Sequence, residues 1–261
     1  MYLQIPTGVD LEVQDFKNYL MAIKLPTERA PATNKSPKRL FLFGPPKTGK
    51  TTAVAMLDEC LLIDLERGSD FVDAMRVQVN NLKDLREVLS EVNKAGNPYK
   101  YAAIDTTTKL EEMVLPLAAE LYKDTQMGKD WDGDNVLTLA RGAGYLYLRR
   151  AYMKVMDAID KAFPRVIYLG HLKDSSLSKE GREVAVKDID LSGKLKNIVC
   201  ANTDAIGYVY RDENRTVISF ETDENIISGA RPIHLRNKQI TILESDENEN
   251  LTSHWDKIYI D

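Results

Sequence analysis

The stretch "RLFLFGPPKTGKTTAVAM", Arg39 to Met56, constrains this chain more than any other. Within it, Gly44-Pro45-Pro46-Lys47-Thr48-Gly49-Lys50-Thr51 satisfies the pattern G-x-x-x-x-G-K-[ST]. An apolar strand leads into the pattern and a helical segment leads out, as its chemistry requires. Glycines let the backbone wrap an anion with its N–H groups, and the helix N-terminus adds partial positive charge. Lys50 is then placed to reach the β- and γ-phosphates of a nucleoside triphosphate, Thr51 to ligate Mg2+, and Thr52 to contact the α-phosphate. A Gly-rich turn with an exposed lysine is the bland alternative, and the strand–loop–helix context speaks against it.

Strand followed by helix also sets an architecture. The apolar runs "RLFLF", "CLLIDLE", "MRVQV", "KYAAID" and "RVIYLG" alternate with helical patterns at 50–58, 81–95, 108–122 and 136–162. That rhythm predicts an α/β domain with a mainly parallel central sheet flanked by helices. "DAIGYVYR" and "RTVISFET", joined by "DEN", read as a C-terminal antiparallel hairpin added to the sheet. Ahead of the domain, Leu11, Phe16, Leu20 and Ile23 share one face of a helix, and Pro26, Pro31 and Pro37 mark an extended arm. The expected division is an N-terminal helix and proline-bearing arm over 1–37, then the domain over 38–261. Its acidic end, "ESDENENLTSHWDKIYID", reads as a short helix or solvated tail.

Net charge is −5, so any contact with nucleic acid has to come from local basic loops rather than a basic whole. Cys60 and Cys200 lie far apart in apolar surroundings, as core residues of a reducing compartment do. No apolar run approaches about 18 residues, and the N-terminus lacks a basic flank and an apolar signal core. A cytoplasmic protein with no membrane partner is the expectation.

Three strand ends carry polar groups that suit a nucleotide site. Asp105 closes "YAAID", where an aspartate would hold the hydration shell of Mg2+; capping the helix from Thr108 is its alternative role. Asp64 and Glu66 in "LLIDLERG" are two apart and so share a strand face, with Glu66 further out. A carboxylate there can take a proton from water attacking the γ-phosphate. Spacing does not decide between the two acids; Glu66 is preferred, against its reading as a surface or helix-start residue. His171 ends "VIYLGH" and is either a γ-phosphate sensor or a structural histidine. His234 and His254 lack ligand spacing, so no metal is expected beyond Mg2+ carried by the nucleotide.

P-loop, glutamate strand, aspartate strand and sensor strand in that order resemble a RecA-like P-loop ATPase. The chain is most similar to the short phage-encoded RecA-type recombinases associated with single-strand annealing. The resemblance spans about residues 38–240 and rests on "GPPKTGKTT", "LLIDLERG", "YAAID", "VIYLGH" and "DAIGYVYRDENRTVISF". It implies ATP as the nucleotide, Glu66 as the water-activating residue and His171 in the sensor position, where bacterial RecA has glutamine. It also implies a cation lent by a neighbouring subunit, for which "GARPIHLRNKQ" offers Arg231, Arg236 and Lys238. A solvated basic stretch is the alternative reading of those three. A homo-oligomer, ring or filament, would follow, with the proline arm packing on a neighbour.

By position, the resemblance places single-stranded DNA on two segments. The first offers Lys123, Lys129, Trp131, Arg141, Arg149 and Arg150; the second offers Lys173, Lys179, Arg182 and Lys187. Backbone-tracking cations with an aromatic residue suit sequence-tolerant binding, although nearby acids cancel much of the charge. "KEG" in the second segment also reads as a hairpin turn, and Lys194 and Lys196 as helix-surface lysines. The leading functional expectation is an ATP-driven recombination or annealing protein, with a single-stranded DNA-binding protein as a possible helper. The alternatives are a P-loop kinase of a small molecule, though no arginine-rich lid stands out, and an ATP-gated scaffold of a replication assembly. A GTPase is disfavoured because no N-K-x-D motif occurs.

Overall fold

The computed structural model describes residues 25–179, 182–223 and 225–260, with side chains left out over 175–185. The helix expected within residues 1–24 lies outside the described residues, as do the side chains of Lys179 and Arg182. Contacts divide the chain into one unit ending at Asn34 and another from Lys35 onward. Residues 25–34 of the first are exposed and carry no helix or strand.

The second unit is built on β1 (Arg39–Gly44), β2 (Cys60–Asp64), β3 (Arg76–Gln78), β4 (Tyr101–Asp105) and β5 (Arg165–Lys179). To these are added β6 (Arg182–Ile189), β7 (Ala205–Asp212), β8 (Arg215–Ser219), β9 (Gly229–Ala230), β10 (Gln239–Ser245) and β11 (Leu251–Ser253). The helices are α1 (Lys50–Ala55), α2 (Leu82–Lys94), α3 (Thr107–Met113), α4 (Leu115–Lys123), α5 (Gly144–Ala162) and α6 (Leu195–Asn202). Strand order is β11-β10-β8-β7-β1-β5-β4-β2-β3, with β6 added to β5 and β9 to β7. From β7 to β3 the path is parallel, and β8, β10 and β11 continue it antiparallel. This is the predicted α/β class, with the hairpin β7–β8 where the alternating pattern placed it.

The central strands are buried on both faces, which is why they read as continuous apolar runs rather than alternating ones. Phe41, Phe43, Ile63, Ile104 and Tyr168 face one core, together with Leu85, Leu110, Ala118, Leu148 and Val199 from α2 to α6. Leu40, Leu42, Leu62, Ala103 and Leu169 face the other, where among the described residues the one α-helix is α1, through Ala53 and Val54. The rest of that second face is covered by Phe220, Leu235, Ile240, Ile242, Trp255 and Ile258. The C-terminal end is therefore not a solvated tail. Without it one face of the sheet would stand open, so Trp255, Ile258 and Tyr259 are buried despite their acidic neighbours.

Two helices also depart from the periodic pattern. The run expected at 108–122 breaks at Val114 because Pro116 occupies the first turn of α4, and proline cannot continue a preceding helix. The run expected from 136 begins only at Gly144, since Arg141 and Gly142 sit at φ 56 and 69. Left-handed residues interrupt an α-helix. Both cysteines are free; Cys60 is buried as expected, Cys200 only half-buried, and burial pushes the Cys60 thiol up to about 12. Among the described residues no helix is long and apolar enough to cross a membrane.

Gly44 ends β1 against β7, and a Cβ there would stand 2.1 Å from the Val209 carbonyl oxygen. Gly44→Ala should cost roughly 1–3 kcal/mol through overpacking. Gly68→Ala, where a Cβ meets nothing within 4 Å, should stay within about 0.5 kcal/mol of the parent. Urea midpoints compare the two, and equal midpoints would contradict the close approach.

Candidate nucleotide site

Parallel register brings the motif ends together. Gly44 pairs with His171, and Asp64 with Asp105, so all four lie at the carboxyl edge of the sheet. Ligands of open α/β sheets bind at that edge. Between β1 and α1 the loop turns through Lys47 at φ 63 and Gly49 at φ 92. Gly49 is required twice over, by its left-handed φ and because a Cβ would meet Thr216 Oγ1 at 2.8 Å. Thr216 in turn donates to the Thr48 carbonyl at 3.2 Å, buttressing the loop from β8.

Lys50 Nζ donates to the carbonyls of Gly44 (2.9 Å) and Pro45 (2.8 Å), so the lysine folds over its own loop. Burial pulls its ammonium below the usual range, while Asp105 and Glu66 offset part of that pull. Thr51 Oγ1 donates to Asp105 Oδ2 at 2.7 Å. Burial holds the Asp105 carboxyl above the ordinary carboxylate range despite the Thr51 bond, and the charges of Glu66 and Asp64 push the same way. The helix after it is capped by Thr106, which accepts from Lys109 N. Asp105 is therefore not the cap, and its carboxylate stays with Thr51. Thr52 lies one residue on in the first turn of α1 and Pro46 in the loop.

The two acids after β2 divide in role. Asp64 is 1% exposed and accepts the backbone N–H groups of Glu66 (2.9 Å), Arg67 (2.7 Å) and Ser69 (3.0 Å), along with the Ser69 hydroxyl. Burial alone would raise its carboxyl, but these bonds outweigh it and hold the group below the ordinary range. Asp64 thus builds the turn that carries Glu66. Glu66 Oε1 accepts from Thr106 Oγ1 at 2.5 Å, and its two oxygens stand 3.1 and 3.2 Å from His171 Nε2. Glu66 and His171 keep 32% side-chain exposure each, open to solvent beside Lys50 and Asp105. A threonine hydroxyl and a carboxylate are hard oxygen donors, and a buried carboxyl crowded by two other acids favours a cation. The residues therefore fit Mg2+ held jointly with phosphate oxygens. Among the described residues no group of three or more His, Cys, Asp or Glu side chains forms a metal cage.

Other expected residues lie elsewhere. Arg231 pairs with Asp204 at 3.2 Å and donates to the Ala201 carbonyl at 2.6 Å. Asp204 also accepts from Lys38 N and Arg39 N, at the amino end of β1 and so away from the P-loop. Arg236 donates to the Arg231 carbonyl, and Lys238 has no side-chain partner among the described residues. Trp131 is packed edge-on to Tyr122 at 5.2 Å, with Lys123 Nζ 5.4 Å from its ring centroid. Tyr122 also packs on Tyr147 at 5.0 Å, over which Arg150 lies. Lys129 and Arg141 are exposed and Arg149 is half-buried. On the ribbon β5–β6, Lys173 pairs with Asp190 and Lys187 donates to Tyr208 OH at 3.0 Å. Lys196 is not a plain surface lysine: it bonds the buried Asp188. Sequence reasoning missed Thr106 and Thr216; the run "DTTTK" after Asp105 held a signal for the first, whereas nothing local marks the second.

A family model described as "AAA domain" matches residues 36–232. Among curated proteins no match is found. The RadB recombinase crystal structure is 12% identical, with a TM-score of 0.44, covering 85% of this chain and 93% of that one. A KaiC-like protein from the archaeon Pyrococcus horikoshii OT3 is 14% identical, also at 0.44, covering 86% and 96%.

The two buried acids should respond to neutralisation with opposite signs. Asp64's carboxyl is held low, so its ionised form contributes stability above the unfolded pKa that is lost as pH falls through the folded one. Asp64→Asn should therefore cost about 1.5–3 kcal/mol at neutral pH. Asp105's carboxyl is held high, so ionising it as pH rises costs the fold stability. Asp105→Asn should raise the melting temperature of the nucleotide-free protein at neutral pH. Thermal melts of both variants check the pair; two shifts of the same sign would refute the assignment.

Proposed function

The chain belongs to the AAA domain family, and on that premise we propose that it is a Mg2+-dependent ATPase acting on single-stranded DNA. The reaction serves recombination or annealing, in the manner of the short phage-encoded recombinases that its motifs resemble. The observation that carries the reading is the convergence of Lys50, Thr51, Asp105, Glu66 and His171 at one sheet edge, with Thr51 on Asp105 and Glu66 beside His171. A protein that only binds nucleotide needs no half-exposed carboxylate aimed at that point.

Lys50 leaves the carbonyls of Gly44 and Pro45 for the β- and γ-phosphates, where loop N–H groups and the α1 N-terminus add donors. Thr51 and Asp105 hold Mg2+, which supplies neutralisation of phosphoryl charge. Glu66 accepts the proton of the attacking water, and Thr106 and His171 orient its carboxylate until then. His171 is the last residue of β5 paired with β1, and Leu172 already pairs with Ile189 in the ribbon with β6. DNA held along that ribbon is one residue from the sensor, which supports placing the DNA contacts there. A neighbour's Lys238, whose side chain has no partner among the described residues, is the best of the three cations for completing the site in an oligomer.

The test is ATP hydrolysis with and without single-stranded DNA. The parent should be DNA-stimulated. Glu66→Gln should keep nucleotide binding and lose about 10²- to 10⁴-fold in rate, and Lys50→Ala should lose binding itself. A rate blind to DNA would remove the DNA part of the reading, and labelled phosphate on a small acceptor would replace it with a kinase.

A further inference from the structure

Helix α1 carries Lys50, Thr51 and Thr52, yet it has six residues. Isolated helices shorter than roughly 12–15 residues are marginal in water, and the last carbonyls of any helix lack donors of its own. Local donors serve this end poorly: Met56 N reaches the Thr52 and Ala53 carbonyls at 3.3 Å each, and Leu57 N reaches Val54 at 3.2 Å. The short bond comes from the far end of the chain. Trp255 Nε1 donates to the Ala53 carbonyl at 2.7 Å, and Ser253 Oγ donates to Met56 at 3.4 Å.

Ala53 passes that contact on. Its own N–H donates to the Gly49 carbonyl at 2.8 Å, so the residue that the indole holds by its carbonyl is the residue whose N–H is tied to the P-loop glycine. The indole cannot swing away: Trp255 is 6% exposed and stacks on Tyr259, which packs on Tyr101 with centroids 4.7 Å apart. Ser253, Trp255 and Tyr259 all lie beyond residue 232, where the family match ends.

We propose that Trp255 is a positioning residue for the nucleotide, acting through Ala53 to hold α1 and Gly49 in their phosphate-binding form. The C-terminal segment 251–260 is then a working part of the site. This rests on the nucleotide-binding reading above. Trp255→Phe keeps a ring in the stack and removes the N–H; Ile242→Val thins the same core without removing a hydrogen bond to α1. Two measurements separate them: amide exchange over residues 50–57 without nucleotide, and affinity for a fluorescent ATP analogue with Mg2+. Trp255→Phe should speed exchange in α1 and weaken binding about fivefold, the factor of one lost neutral hydrogen bond. Ile242→Val should do neither. Unchanged α1 exchange in Trp255→Phe overturns the proposal, as does Ile242→Val matching it in both measurements. A parent that binds while Trp255→Phe binds equally well overturns this inference alone. A parent that binds no analogue overturns it together with the function proposed above.

Discussion

The structure turns on burying one lysine and two acids at the edge of an apolar sheet, of which only Asp64 is held firmly in its charged form. Lys50, Asp64 and Asp105 are each at most 7% exposed, and a buried ion without partners is costly. Each is accommodated differently. Asp64 is surrounded by donors of its own turn, Lys50 is folded onto loop carbonyls, and Asp105 keeps one hydroxyl while two acids crowd it. Only Asp64 is fully provided for. Lys50 and Asp105 are left with partners that a phosphate and a cation would better, and this is what suits the edge to the site proposed.

That uneven provision explains the division of labour after β2. Asp64 closes β2 and Glu66 lies in the turn after it; Asp64 spends its oxygens on the backbone of that turn, so only Glu66 keeps a carboxylate free to meet solvent and His171. Rigidity in the first residue is the condition for precision in the second. Thr106 plays the same part from β4, spanning the helix start and Glu66 with one hydroxyl.

Among the described residues the sheet's two faces are covered unequally, five α-helices on one and α1 with C-terminal residues on the other. The side that carries the phosphate loop is therefore the side completed by chain added after the family-matched part. Thr216 and Trp255 reach the loop and its helix from there. Stability of that face and geometry of the loop are coupled because the same buried side chains serve both.

Local pattern determined a good deal by itself. The P-loop, the apolar strands, the hairpin β7–β8 and the polar strand ends at Asp105, Glu66 and His171 were all legible in "GPPKTGKTT" and its companions, because each is encoded by neighbours in the chain. Helix limits were less so: Pro116 and the left-handed pair Arg141–Gly142 overrode periodicity through backbone sterics. Only the tertiary structure decided which acid faces the site, since Asp64 and Glu66 share a face by spacing and differ by the N–H groups that the folded turn presents. It alone showed Trp131 closed in by Tyr122 and Lys123, Arg231 committed to Asp204, and the acidic end buried through Trp255. These outcomes join residues as far as 202 positions apart. Strand register and the need to cover an apolar face choose such partners, and neither is written in any one stretch of sequence.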